Sequence, residues 1–377
     1  MTLSTRNQKN NPAVLIVDDS AYVRTTLSEL LSKQPNIGQI VTAVDGEDAL
    51  KKVIKYNPDV IILDLEMPKM DGFTFLRLLL DRKPIPVIVL SAKSNYYNII
   101  KAMELGALDF IPKPMNGGIP ELEKIVKELN DKIVLATSFN PSGARKRFND
   151  FWKHRNNFYS YESLFLPPEK TLIAEEDIDN LLTVAIGAST GGPAALYQIM
   201  SSLKLNENVA ILIGQHMPDN FIEPFAERLD RVSSYIVKKG EHGEVVRGGT
   251  AYISPSSKNM VIARKGKRVI IELKKTTESD RYVPSINKLF FSVASVMGSR
   301  TMGILLTGMG DDGVEGLLEI KVNNGYTIAE SEETAVVFGM PREAIRRGAV
   351  DKVLPLREIP AEINNWVATN VRKFIKK

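Results

Sequence analysis

Val60 to Leu63 reads VIIL, four apolar residues with no polar face, and the run stops on a carboxylate at Asp64. A strand that shows one face to water alternates apolar and polar side chains. A run that is apolar throughout is covered on both faces, as in a parallel sheet flanked by helices. The unit recurs from Ala13 onward: AVLIV, an amphipathic stretch from Ser20 to Lys33, QIVTAV, a second from Glu47 to Lys55, DVIILD, PVIVLS and a short DFI. This βα repeat predicts one α/β domain, a five-stranded doubly wound sheet of flavodoxin-like type. A closing helix from about Ile119 through Leu135 puts Leu122, Ile125, Val126 and Leu129 on one face.

At 377 residues the chain is long for a single core and accommodates two domains with connecting material. Periodicity lapses between Ala136 and Asp179, where SFNPSG, the basic-aromatic RKRFNDFWKHRNNFYSYE, a PP pair and the acidic AEEDID follow one another. This segment reads as a linker whose aromatics are too many for a purely flexible tether. No binding fold surrounds the aromatic-basic patch, so packing or partner contact is preferred to stacking on nucleic acid. From Leu181 the strand-forming runs return as LLTVAIGAS, VAILIG, TAYIS, RVIIEL and TMGILLTG, interleaved with helical stretches from Gly192, Asp219, Ser285 and Gly313. A second α/β domain with a mainly parallel sheet is expected. The boundaries fall at 1–12 for a disordered N-terminus, 13–130 for the first domain, 131–180 for the linker and 181–377 for the second domain.

Composition excludes some chemistry. There is no cysteine, which removes disulfides, thiolate nucleophiles and cysteine zinc sites together. The formal net charge of +4 is spread along the chain rather than gathered in a stripe, so nucleic acid is not an expected partner. No run approaches the 18 or so apolar residues of a spanning helix, and a soluble, cytoplasmic protein without membrane insertion is expected.

Three carboxylates stand at strand ends in the first domain: Asp18 and Asp19 after VLIV, and Asp64 after VIIL. In an open parallel sheet the carboxyl ends of neighbouring strands converge on one crevice, so these like charges should cluster and repel. A hard divalent cation such as Mg²⁺ relieves the repulsion, and it favours a few carboxylates with water and phosphate oxygens. The next strand end supplies the Ser91 hydroxyl and the last supplies Lys113, groups suited to phosphoryl oxygens. Taken singly, an aspartate at a strand end is usually a helix cap and a lone lysine is usually solvated surface. Their occurrence in order at four strand ends is the informative observation.

In the second domain Gly187 to Gly191 reads GASTG, a G-x-S-x-G pattern where a strand gives way to a helix. Ser189 would project from the sheet edge there, with amide N–H groups of the helix start available to an oxyanion. An ordinary glycine-rich turn with a serine cap is the competing reading. The chain has three histidines, His154, His216 and His242. His154 lies in the linker and His242 in the polar loop KGEHGEVVRGG, whereas His216 follows VAILIG and reaches the same sheet edge as Ser189. A third strand, GILLTG, leads to MGDDG and delivers Asp311 and Asp312; spacing alone does not choose between them. The order Ser, His, Asp differs from the Ser, Asp, His order of the common α/β-hydrolase fold, so the pattern match is not membership of that fold.

Residues 13 to about 130, with the aspartate pair, LDLEMPKMDG, LSA and FIPKP, resemble a response-regulator receiver domain. The strings GASTGG, QHMP, TGMGDDG and VVFGMPREAI, together with the triad order, resemble the chemotaxis-specific protein-glutamate methylesterases of the CheB family. The resemblance implies phosphorylation of Asp64 by a histidine kinase and Mg²⁺ held by Asp18, Asp19 and Asp64. It also implies sensing of the phosphoryl group by Ser91, Phe110 and Lys113. For the second domain it implies hydrolysis of glutamate γ-methyl esters on chemoreceptors and deamidation of certain receptor glutamines, with no cofactor for that chemistry. Ser189, His216 and Asp312 match the family's triad, the motif selecting Asp312. Backbone N–H groups of Thr190 and Gly191 are expected to hold the oxyanion, and an unphosphorylated receiver is expected to cover the Ser189 edge. Rival readings are a DNA-binding response regulator, which would need a helix-turn-helix after the linker, and a scaffold that keeps the fold without catalysis.

Overall fold

The apolar runs form the strands expected of them. The computed structural model describes residues 11–92, 96–113, 119–137, 139–142, 170 and 178–374, and the chain divides into two compact units, Met1–Phe148 and Asn149–Lys377. The N-terminal residues before 11, most of the expected linker with its aromatic-basic patch, and His154 lie outside the described residues.

The first unit is a five-stranded parallel sheet in the order β2-β1-β3-β4-β5. Its strands are β1 (Val14–Val17), β2 (Ile40–Ala43), β3 (Val60–Leu63), β4 (Val87–Ala92) and β5 (Asp109–Lys113). This is the flavodoxin-like order, whose direction of winding reverses between β1 and β3. Every residue of β1 and β3 is buried, which accounts for their lack of a polar face. Helices α1 (Ala21–Ser32), α2 (Gly46–Tyr56), α3 (Gly72–Arg82), α4 (Tyr96–Glu104) and α5 (Ile119–Ala136) cover the sheet. Ser20, Asp45 and Asp71 cap the first three by accepting from amides three residues on. The buried face of α5 carries Leu122, Val126, Leu129 and Ile133.

The second unit contains a seven-stranded sheet in the order β14-β13-β12-β6-β7-β9-β8, and all of its paired strands are parallel. In chain order these are β6 (Leu182–Ala188), β7 (Val209–Gln215), β8 (Ile236–Lys239), β9 (Thr250–Ile253), β12 (Thr301–Leu305), β13 (Tyr326–Glu330) and β14 (Lys352–Leu354). The run RVIIEL is the exception to the expected interleaving: it is β11 (Arg268–Lys274), paired antiparallel with β10 (Asn259–Lys265) in a separate hairpin. Its alternation explains why. Val269 and Ile271 are buried while their neighbours are not, the two-residue period of a one-faced ribbon.

Helices α6 (Gly192–Ser202), α7 (Ile222–Val232), α8 (Ile286–Met297), α9 (Val314–Val322), α10 (Met340–Arg346) and α11 (Ile359–Phe374) complete the second unit. Ile286, Leu289, Phe290 and Val293 of α8 share one core with Leu305, Val314, Leu317 and Ile320. Truncating Phe290 to alanine there costs about 3–5 kcal/mol. The core thereby fixes the start of α8. Among the described residues no helix is long and apolar enough to cross a membrane.

Candidate active site and phosphoacceptor site

Register brings the first unit's acids together. Val17 lies beside Leu63 across the β1/β3 pair, so the residues that follow them, Asp18 and Asp64, leave the sheet side by side. Potential ligand atoms of Asp18, Asp19 and Asp64 all lie within 4.8 Å of one another, with Asp18 and Asp64 buried and Asp19 exposed. Gly72, at the start of α3, lies so close that a Cβ would collide with the Asp64 carbonyl oxygen.

Lys113 Nζ is 2.8 Å from Asp18 Oδ2 and also pairs with Asp64 Oδ2. Burial pushes the Asp64 carboxyl above its ordinary range; Lys113 works against this, and the charge of Asp18 adds to it. Burial also disfavours the Lys113 ammonium, but Asp18 and Asp64 outweigh it and hold that group above the ordinary lysine range. Ser91 is buried, and its Oγ has no hydrogen-bond partner among the described residues. Phe110 is buried on β5, with Lys132 Nζ 5.8 Å from its ring centre.

Three oxygen donors from two adjacent strand ends suit a hard cation, and the orphaned Ser91 hydroxyl at a neighbouring strand end suits a further acceptor oxygen. Asp18, Asp19 and Asp64 therefore fit a hard divalent cation such as Mg²⁺.

In the second unit the corresponding reversal of winding falls between β6 and β12. Ser189 follows β6, His216 follows β7 and Asp312 lies beyond β12, so three consecutive strands of the sheet deliver them to one edge. His216 Nδ1 is 3.2 Å from Ser189 Oγ, and His216 Nε2 is 2.9 Å from Asp312 Oδ2. With Asp312 accepting, the proton of neutral His216 sits on Nε2 and the Nδ1 lone pair faces the serine. In the familiar protease triad the two ring nitrogens have the opposite partners.

Asp312 is buried and well satisfied. Oδ2 accepts from Ile286 N–H at 2.7 Å, and Oδ1 accepts from Asn287 N–H at 3.0 Å and from Ser285 Oγ at 3.3 Å. These donors are the open end of α8, whose partial positive charge stabilises a carboxylate. Asp311 instead is half-buried and takes Arg281, Arg347 and the Tyr282 hydroxyl. Tyr282 stacks on His216, ring centres 5.5 Å apart and planes within 9°. Burial holds its phenol above the ordinary range, so it remains a neutral donor.

The turn after β6 is tightly built. Gly191 has φ +76° and caps α6, a left-handed conformation that glycine adopts freely. Gly308 packs so closely that a Cβ would lie 2.7 Å from Ser189 Cβ. Of the other expected residues, Thr190 and Gly191 stand at this turn. His242 is elsewhere and accepts from Leu273 N–H at 3.1 Å.

The protein-family model for the CheB methylesterase matches residues 184–363, and that for the response regulator receiver domain matches residues 14–127. A Myxococcus xanthus protein named protein-glutamate methylesterase/protein-glutamine glutaminase 1 is 41% identical over 347 residues, covering 92% of this chain and 94% of its own. The chain belongs to the CheB methylesterase family. A Pyrococcus abyssi protein-glutamate methylesterase/protein-glutamine glutaminase is 38% identical over 352 residues, covering 93% of this chain and 92% of the relative. The crystal structure of the Thermotoga maritima CheB methylesterase catalytic domain is 37% identical, covers 50% of this chain and 99% of its own, and has a TM-score of 0.48. Family membership makes the first unit a response-regulator receiver and the second a methylesterase module.

Several residues around the site had no role in the sequence reading. Gln215 was visible only as part of QHMP and Thr307 only as the end of a strand motif. Tyr282 carries no local signal at all, since its partner is 66 residues away in sequence.

Proposed function

We propose that this chain is a phosphorylation-controlled serine hydrolase that removes γ-methyl esters from glutamates of chemoreceptors and deamidates selected receptor glutamines. The observation that carries the reading is the unbroken line from Ser189 Oγ through the His216 ring to Asp312, with contacts of 3.2 and 2.9 Å. His216 Nδ1 takes the Ser189 proton as Oγ attacks the γ-carbonyl carbon, and Asp312 stabilises the imidazolium through Nε2–H. The carbonyl oxygen becomes an oxyanion held by the Thr190 and Gly191 N–H groups at the start of α6. His216 returns the proton to the leaving methoxide, and methanol departs. Water, deprotonated by His216, then opens the acyl-enzyme to give glutamate and restores Ser189. With glutamine the leaving group is ammonia and the remaining steps are the same.

On the receiver, an Asp64 carboxylate oxygen takes the phosphoryl group from the phosphohistidine of a chemotaxis histidine kinase. Asp18, Asp19 and Asp64 would hold Mg²⁺, which when bound offsets charge on the phosphoryl oxygens. Lys113 and Ser91 contact the transferred group, and Phe110 responds to the change. Receptor glutamates on cytoplasmic helices place the enzyme in the cytoplasm.

The test is methanol release from methylated receptor membranes, with and without a small-molecule phosphodonor. Release should rise with the donor in the wild type, remain at the basal rate in Asp64→Ala, and fall by about 10⁶-fold in Ser189→Ala. Full activity in Ser189→Ala would sink the catalytic assignment, and equal wild-type rates with and without donor would sink the control.

A further inference from the structure

Three successive peptide planes at the nucleophile turn have their carbonyls held by three different groups. Ala188 C=O accepts from His216 N–H at 3.1 Å. Ser189 C=O accepts from Gln215 Nε2 at 3.0 Å, as well as from Gly192 N–H at 2.8 Å. Thr190 C=O accepts from Thr307 Oγ1 at 3.0 Å. In a trans peptide the C=O and the following N–H point in opposite directions within one rigid plane. Holding Ser189 C=O therefore aims the Thr190 N–H, and holding Thr190 C=O aims the Gly191 N–H.

We propose that Gln215 and Thr307 are positioning residues that orient the Thr190 and Gly191 N–H groups toward the developing oxyanion. The inference rests on the proposed role of those two amides as oxyanion donors, and it adds what directs them.

The surroundings of both side chains fit this role. Gln215 is buried and spends both amide protons on backbone, one on Ser189 C=O and one on His216 C=O at 2.9 Å. Its Oε1 has no partner among the described residues and lies directly against Gly192. A buried acceptor without a donor disfavours folding, so packing does not explain a glutamine here; its two donated bonds grip the nucleophile and base segments together. The Thr190 N–H, on the opposite side of that peptide plane, donates to no acceptor among the described residues.

Thr307 is equally constrained. Its carbonyl accepts from Ser189 N–H at 3.1 Å, and its Oγ1 accepts from Val337 N–H at 3.0 Å. The hydroxyl proton has Thr190 C=O at 3.0 Å and Val337 C=O at 3.3 Å within reach, and the shorter contact is the one to the turn. Behind it, Thr307 N–H donates to Oε2 of the fully buried Glu330 at 2.9 Å, and Glu330 Oε1 accepts from Thr334 Oγ1 at 2.9 Å. Thr307 is thus fixed at its amide, carbonyl and hydroxyl, and transmits that rigidity to the turn.

The experiment compares Gln215→Leu, Thr307→Val and Thr307→Ser with wild type in the phosphodonor-activated full-length protein. It measures kcat and KM for receptor demethylation, the pH profile of kcat, and inhibition by phenylboronic acid, which forms a tetrahedral anion on an active serine. Misaimed oxyanion donors act only once the oxyanion forms. Gln215→Leu and Thr307→Val should therefore lower kcat by about 10²-fold each with KM within twofold, leave the pH profile unshifted, and weaken boronate inhibition by a comparable factor. Thr307→Ser, which keeps the hydroxyl, should restore kcat to within about threefold. The inference is overturned if kcat is unchanged in both Leu and Val variants. It is also overturned if the loss lies in KM with boronate inhibition intact, or if Thr307→Ser is as impaired as Thr307→Val. Ser189→Ala separates the two levels. An active Ser189→Ala refutes the hydrolase reading itself, whereas an inactive Ser189→Ala beside normal Gln215→Leu and Thr307→Val refutes this inference alone.

Discussion

At the β1/β3 end of the first sheet three carboxylates crowd within 4.8 Å, while at the β6/β12 end of the second a single carboxylate, Asp312, is met by two backbone amides, a hydroxyl and an imidazole. Both places are the reversal points of parallel sheets, where side chains from strand ends meet in a crevice. Their electrostatics are opposite. The acidic cluster is under-compensated: among the described residues Lys113 alone bridges Asp18 and Asp64, and burial raises the Asp64 carboxyl despite that lysine. Such a site suits a divalent cation, whose charge would offset that of the carboxylates. The Asp312 site is complete within the fold, because the open end of α8 supplies the donors that a metal would otherwise replace. One kind of sheet edge can thus carry either an open acidic cluster or a carboxylate already satisfied from within the fold, according to how many of its charges the backbone meets.

Chelation separates the two sites most sharply. Stripping divalent cations should abolish phosphorylation of Asp64, read as loss of label from a radioactive phosphodonor, while basal ester hydrolysis by the same sample is unchanged. Loss of basal hydrolysis on chelation would break the contrast.

Asp312→Asn is the next largest effect. An asparagine that keeps the Asn287 bond through its carbonyl oxygen turns its NH₂ to the place of Oδ2, where it faces Nε2, forces the ring proton onto Nδ1 against Ser189, and leaves the Ile286 N–H without an acceptor. The fall in kcat should be about 10⁴-fold, with an unfolding temperature lower by about 2–4 °C for the lost Ile286 bond; a fall of less than tenfold would show that the tautomer argument fails.

Tyr282→Leu removes the ring stacked on His216 and should lower kcat/KM by about tenfold, the scale of one stacking contact. Unaltered kinetics would assign Tyr282 to packing only.

The smallest effect concerns stability away from both sites. Glu362 on α11 accepts from Lys352 Nζ at 2.8 Å and from the Tyr326 hydroxyl at 2.7 Å. The Lys352 bond, with Tyr326 adding to it against a burial penalty, holds the Glu362 carboxyl below its ordinary value of 4.5. A depressed acid stabilises the fold above its unfolded pKa, and the contribution disappears as pH falls through the folded value. Glu362→Gln should therefore unfold about 2 °C lower than wild type at pH 7, with the difference shrinking as the pH is taken below 4.5. A difference that persists at the acidic end would mean the ion pair is not its source.

Much of this molecule is written in short stretches of chain. Fully apolar runs such as Val60–Leu63 require cover on both faces, which made the two parallel sheets legible before any contact was known. The same runs place Asp18, Asp64, Ser189 and His216 immediately after strands, so their arrival at sheet edges could be read too. RVIIEL was misjudged because its apolar content masked an alternation that belongs to a hairpin. β8, β10, β13 and β14 were missed, β8 and β14 being short edge strands that do not show a continuous apolar signal.

What tertiary structure alone decided is which neighbour each site residue meets. The strand order β12-β6-β7 sets Ser189 between the other two members. The start of α8 lies against Asp312 and leaves Asp311 to Arg281, Arg347 and Tyr282. The grip of Gln215 and Thr307 on the turn joins residues up to 117 positions apart. Burial and period are properties of a few consecutive residues and survive in the sequence. Pairing across a sheet and the docking of a helix end are set by the packing of distant segments, which local pattern does not encode.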